Sequence, residues 1–292
     1  MLTLEELHPV TIMLYFMAVS GIAMFCNYPY LLISSLTGAV LYFIIRNGRK
    51  HIRHHIFSLL LFLILTAVNP LVSHNGMTVL FVLNDNPVTL EALLYGANAS
   101  VMVLAVLYWL NSFSQVMTSE KILCIFGTVS PKISLLLSMT LRFVPLMNAQ
   151  SRKISDAQKT LGYYQSDNII DSIKEKCRVL NIVITWALEN GIITANSMSA
   201  RGFGTNRRTN FSIHHMRKED RNIILTVAVL SAVTVLAVSR KTMEISFYPE
   251  IHSAEHSGLY FAGLTAYTGL ALLPSVLQAE VNLRWKYLQS KI

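Results

Sequence analysis

Long stretches without a charged side chain alternate with short, mostly basic ones along this sequence. Residues 10–45 hold no Asp, Glu, Lys or Arg, and Asn27-Tyr28-Pro29 interrupts the run with a turn signal, which predicts two apolar helices. Further uncharged runs cover residues 56–84, 92–119, 223–239 and 257–279. A helix crosses the hydrocarbon layer with roughly 17–25 apolar residues, so the pattern predicts about six spans. The predicted fold is an all-α integral membrane protein.

Residues 113–221 follow another pattern. Ser130-Pro131 is a helix start, with Ser as cap and Pro in the first turn. Leu136, Met139, Phe143 and Met147 then recur at helical spacing, and Leu135, Leu137 and Leu141 make this helix apolar nearly all round. Such a helix is expected against the membrane unit or in the interface. Arg142 sits within it and needs a partner or the interface, while Pro145 is expected to kink the helix or end its regular part. A second helix starts near Ser166-Asp167. Its apolar stripe is Ile169, Ile173, Cys177, Leu180, Ile184 and Ala187, with Lys174, Glu175, Lys176 and Arg178 opposite and a break expected near Asn190-Gly191. Both helices stop at glycine, after Lys159-Thr160-Leu161 at Gly162 and after Ser199-Ala200-Arg201 at Gly202. Two such ends can engage two copies of a partner, or two related partners. The expected organisation is a four-span unit over 1–112, a cytosolic helical region over 113–221 and a two-span unit over 222–292.

Composition supports lipid as the solvent. Mean hydropathy is +0.47 and 14% of residues are charged, against about 25% in soluble domains. Lys and Arg gather at Arg46, Arg49, Lys50 and Arg53, in the segment 113–221 with 15 of the 24, and at Arg284, Lys286 and Lys291. With six spans these fall on one side, which predicts cytosolic termini in the plasma membrane and an outer loop at 240–256. The net charge of +8 then reads as topology and contact with membrane lipids, with no nucleic acid required. The acidic start Glu5-Glu6 predicts that the first span is retained as an anchor. Three scattered cysteines give neither a disulfide framework nor a metal site. His51, His54, His55, His214 and His215 lie among cations, a poor setting for a metal, and His252 and His256 read as loop decoration. Glu91 reads as a helix N-terminal charge. No P-loop, Gly-x-Ser-x-Gly or His-Glu-x-x-His motif occurs, so no enzymatic activity and no cofactor are expected. A membrane enzyme or stand-alone carrier is the alternative, and it would need an ionisable cluster within the spans, where almost no charge occurs.

Several short motifs then occur in a telling order: Leu7-His8-Pro9, Asn69-Pro70-Leu71-Val72-Ser73-His74-Asn75-Gly76, Thr78-Val79-Leu80-Phe81, Thr89-Leu90-Glu91-Ala92-Leu93-Leu94-Tyr95-Gly96, Leu141-Arg142-Phe143-Val144-Pro145 and Ala200-Arg201-Gly202. Together they resemble the transmembrane T component of energy-coupling factor (ECF) transporters, the family of the cobalt and nickel uptake membrane subunit. The resemblance implies a non-catalytic scaffold that binds two ABC-type ATPase subunits and a small substrate-binding membrane subunit, for uptake of a vitamin or a transition metal. It implies that two arginine-centred motifs dock on the ATPases. The second maps onto Ala200-Arg201-Gly202. The first maps onto Thr160-Leu161-Gly162, where Leu161 stands in place of arginine and the nearby Lys159 lacks a guanidinium's planar fork. Arg142 and Pro145 are expected to serve the structure of the coupling region.

Overall fold

A computed structural model describes residues 4–48, 52–73, 76–83, 86–162, 169–205, 216–240, 242–243, 245–247, 252–253 and 258–290. Apolar runs become helices α1 (Pro9–Phe25), α2 (Pro29–Asn47), α3 (Ile52–Val72), α4 (Leu90–Val116), α8 (Lys218–Ser239) and α9 (Gly258–Gln289). Between α4 and α8 lie α5 (Ser119–Val129), α6 (Pro131–Thr160) and α7 (Ile169–Ala200). Among the described residues, five helices (α2, α3, α4, α8 and α9) are long and apolar enough to cross a membrane. The 17 residues of apolar α1 sit at the short end of the spanning range. Proline opens both α1 and α2, where its missing N–H costs nothing.

The chain divides into two compact units, one of residues 1–119 with 214–292 and one of residues 120–213. In the first, α2 packs on α4 and α9, α1 on α4 and α8, α8 on α9, and α3 on α4. Lipid gives helices no hydrophobic reason to associate, so close packing and hydrogen bonds must do it. Both are present. A Cβ on Gly38 would lie 2.6 Å from the carbonyl oxygen of Ala271, so only glycine admits this approach of α2 to α9. The buried Ser35 hydroxyl accepts from the Trp109 indole at 3.1 Å and bonds the Tyr267 hydroxyl at 2.9 Å, joining α2, α4 and α9. Tyr15, Phe16 and Trp109 pack edge to face around it.

The uncharged run 56–84 holds two elements instead of the single span its composition suggests. Helix α3 ends at Val72, and β1 (Val79–Leu83) pairs antiparallel with β2 (Asn86–Thr89). The β-branched and aromatic stretch Val79-Leu80-Phe81-Val82 favours strand, and a tight clasp halts the helix. Asn69 Nδ2 donates to the Ala92 carbonyl at 2.7 Å, Glu91 accepts from the Thr78 N–H and hydroxyl, and Thr89 caps α4 by accepting from the Ala92 N–H. A Cβ on Gly76 would meet the Glu91 carboxylate at 2.5 Å. The motifs between Asn69 and Gly96 thus meet in space as one junction. A similar clamp explains Leu7-His8-Pro9. Asp220, 1% exposed, accepts from the His8 N–H and from the Arg217 N–H, both at 2.9 Å, tying the start of α1 to the start of α8.

In the second unit, α6 packs on α7, with Phe143 and Trp186 ring centroids 6.5 Å apart. Helix α6 continues through Pro145 to Thr160, and α7 runs unbroken through Asn190-Gly191. The expected start at Ser166-Asp167 lies outside the described residues. The expected packing face of α7 is different in the structure. Glu175, Val179 and Val183 are buried, whereas Ile169, Ile173, Cys177, Leu180 and Ile184 are exposed. Helix α7 has two apolar faces, and spacing alone does not say which one meets α6.

Candidate docking site

The ends of α6 and α7 are built alike. After α7, Arg201 is the C-cap and Gly202 takes φ +76°, a left-handed backbone that glycine adopts without a Cβ clash. The Gly202 N–H donates to the Ser199 carbonyl at 3.0 Å and the Phe203 N–H to the Met198 carbonyl at 3.0 Å. These two bonds form a Schellman motif, which satisfies carbonyls that the helix leaves open. After α6, Leu161 is the C-cap, Gly162 takes φ +78°, and the Gly162 N–H donates to the Lys159 carbonyl at 3.1 Å. Leu161 and Arg201 therefore occupy equivalent positions, each fixed by the glycine behind it.

Their chemistry is opposite. Arg201 is exposed at the negative end of the α7 dipole, and among the described residues none bonds its guanidinium. Leu161 is 72% exposed, a large apolar side chain left mostly uncovered by the described residues. Lys159 points its charge elsewhere, to Asp156 at 3.6 Å. Ala200 is the last residue of α7 and is exposed. Arg142 and Pro145 lie mid-helix in α6, both exposed, and Arg142 has no partner among the described residues. The structure therefore groups six predicted residues into two matching caps and leaves Arg142 and Pro145 apart, on the shaft of α6.

Between α6 and α7 runs a groove of about 340 Å³ lined by Met147, Ser151, Lys176 and Val179 among others. Sequence reasoning missed the buried carboxylate of Asp220 and the ion pair of Glu5 with Arg46 at 2.6 Å. Their signal was available only as acidic residues flanking apolar runs. Among the described residues no three His, Cys, Asp or Glu side chains gather as a metal site. His54 and His55 instead bond to Asn111 and Tyr108, while His51, His214, His215 and His256 lie outside the described residues.

A bundle of apolar helices with lipid-facing surfaces defines an all-α, multi-pass membrane protein. The sequence matches the cobalt transport protein (CbiQ) family over residues 3–212, and the chain belongs to that family. It is 34% identical over 117 residues to the energy-coupling factor transporter transmembrane protein EcfT of Listeria innocua, a match covering 38% of this chain and 44% of that protein. It is 30% identical over 107 residues to the EcfT protein of Streptococcus equi, covering 36% and 40% of the two. The EcfT protein of Streptococcus thermophilus is 29% identical over 118 residues, with 40% and 44% covered. The chain matches less than half the length of each of these relatives.

Proposed function

We propose that this protein is the transmembrane energy-coupling subunit of an ECF-type ABC importer for a vitamin or a transition metal. In this reading it hydrolyses nothing itself. Two ABC-type ATPase subunits bind the ends of α6 and α7, and a small membrane subunit carries the substrate. In the same reading residues 113–221 form the cytosolic coupling region and both termini are cytosolic, which the positions of Lys and Arg support.

The observation that carries the proposal is the pair of matched helix ends. Each long helix ends at a glycine with a left-handed backbone and presents an exposed C-cap side chain, Leu161 or Arg201. A helix is stiff along its axis, so a push on its capped end is transmitted to its other end. The exposed stripe Ile169, Ile173, Leu180 and Ile184 on α7 supports a further apolar partner, for which the substrate-binding subunit is suited.

The test is purification of the tagged full-length chain from membranes of its source cells, which supply their own ABC ATPases. Two ATPase chains should elute with it, and ATP turnover should be confined to fractions that contain them. Purified chain that turns over ATP alone, or that elutes without any ATPase, overturns the reading.

A further inference from the structure

The chain leaves the first unit at residue 119, three residues past the end of α4, and re-enters it at residue 214, four residues before α8. Both junctions are tied to one short segment, residues 4–8, which precedes α1. At the exit, the last turn of α4 leaves carbonyls without helical partners. Arg46, in the last turn of α2, donates to one of them, the Gln115 carbonyl, at 3.1 Å. Its guanidinium stands at the negative end of the α4 dipole, where a cation is favoured. The same Nη2 pairs with Glu5 Oε1 at 2.6 Å. At the return, Asp220 lies in the first turn of α8. One of its oxygens accepts from the Arg217 N–H and the other from the His8 N–H.

Glu5 and His8 are three positions apart, so their Cα atoms are at most about 11 Å from one another. One segment therefore reaches both junctions. Leu4 and Leu7 are buried and seat it in the bundle. Its two attachments differ in strength. The Glu5 side chain is 55% exposed, and an ion pair open to water holds weakly. Asp220 is buried, and hydrogen bonds to an ionised carboxylate are the stronger kind.

We propose that residues 4–8 are a strap that binds the two junctions of the inserted unit into a single mount. Glu5 is its releasable end and Asp220 its fixed end. Glu5, Arg46 and Asp220 act as positioning residues. With the strap closed, a displacement of the chain at residue 119 is shared by α1, α2, α4 and α8. With Glu5 released, the exit and the return move separately while α4 and α8 stay folded. The inference rests on the first unit alone and is independent of the transport reading.

Hydrogen exchange of the full-length chain in detergent, read by mass spectrometry, tests it, because local opening sets the exchange rate of each segment. Glu5→Gln keeps the shape of the side chain and removes its charge. It should speed exchange over residues 113–117 about two- to fivefold, the effect of one partly exposed ion pair. It should also speed exchange over residues 217–222, at the other junction, and leave residues 262–275 of α9 at the unmodified rate. A change confined to 113–117 marks a local ion pair and overturns the strap. Acceleration in α9 as well marks general loosening and overturns it too. Asp220→Asn, which removes the charge at the fixed end, should speed exchange at both junctions more than Glu5→Gln does, and an unmoved rate at 113–117 overturns the proposal. Where Asp220→Asn does not accumulate, Glu5→Gln decides alone.

Discussion

A single guanidinium and a single isobutyl group separate two otherwise matching helix ends. Arg201 can form charge-assisted bonds worth about 1.5–3 kcal/mol to an acidic groove, while Leu161 contributes only apolar contact. Arg201→Ala is therefore expected to reduce ATPase co-purification and uptake by at least about tenfold, at the lower end of that range, with membrane insertion intact. Leu161→Arg is expected to be tolerated, and to tighten the complex where the partner keeps an acidic groove. Quantitative pull-down of the ATPases with each variant measures both effects. Full co-purification with Arg201→Ala, together with normal uptake, would remove the coupling role from this helix end. Residue identity was legible at both ends, because Gly162 and Gly202 mark them in the sequence and the backbone angles of +78° and +76° bear that spacing out. The partner of Asp220 was not legible. His8 lies 212 positions away, and no local pattern connects an acidic residue in the first turn of α8 to the N–H that precedes α1.

Two elements carry tests of their own. In the clasp between α3 and α4, Glu91 is 4% exposed and satisfies the Thr78 N–H and hydroxyl. Removing that acceptor takes away the bonds that tie Thr78 to the start of α4. Glu91→Ala should lower the thermal midpoint in detergent and open β1–β2 to proteolysis, and an unchanged cleavage pattern would show that the clasp does not hold the hairpin. Helix α6 carries the second test. Leu136 is 66% exposed within its own chain, and apolar area in water costs about 25 cal/mol per Å². Single cysteines should accordingly label more slowly at Leu136 than at Lys174 in intact membranes, and equal rates would place α6 in water. Element boundaries were read well where charge marks them, as at the basic stretch after α2. They were misread where composition is uniform, since the 56–84 run gives no charge to separate α3 from β1. The packing face of α7 was misread for a different reason. Both of its sides are apolar, and only the position of α6 decides that Val179 and Val183 are covered while Ile173 and Leu180 are not.

At the scale of the molecule, the first unit is held by bonds between the two ends of the chain. Tyr28 and Tyr260 share a hydroxyl contact at 2.7 Å across 232 positions, Tyr15 donates to the Leu270 carbonyl at 3.0 Å, and Ser275 donates to the Gly38 carbonyl at 3.3 Å. None of this could be read from local pattern, because helices that contact one another in lipid leave no hydrophobic signal to distinguish them from helices that do not. The narrow seam between Gly38 and Ala271 has a consequence for how the protein is made. A ribosome adds about 5–20 residues per second, so α2 waits on the order of ten to fifty seconds in the bilayer before α9 leaves the translocon. Throughout that interval the Ser35 hydroxyl and the glycine notch of α2 lack their final neighbour, and the nascent chain is a substrate for membrane proteases. A chain stopped at residue 257 should insert normally and then be cleared within minutes in a pulse-chase experiment, while the full chain persists. Equal lifetimes would show that the helices before α9 are already a finished structure. On this expectation α9 sets the moment at which the packing around Gly38 and Ser35 becomes complete.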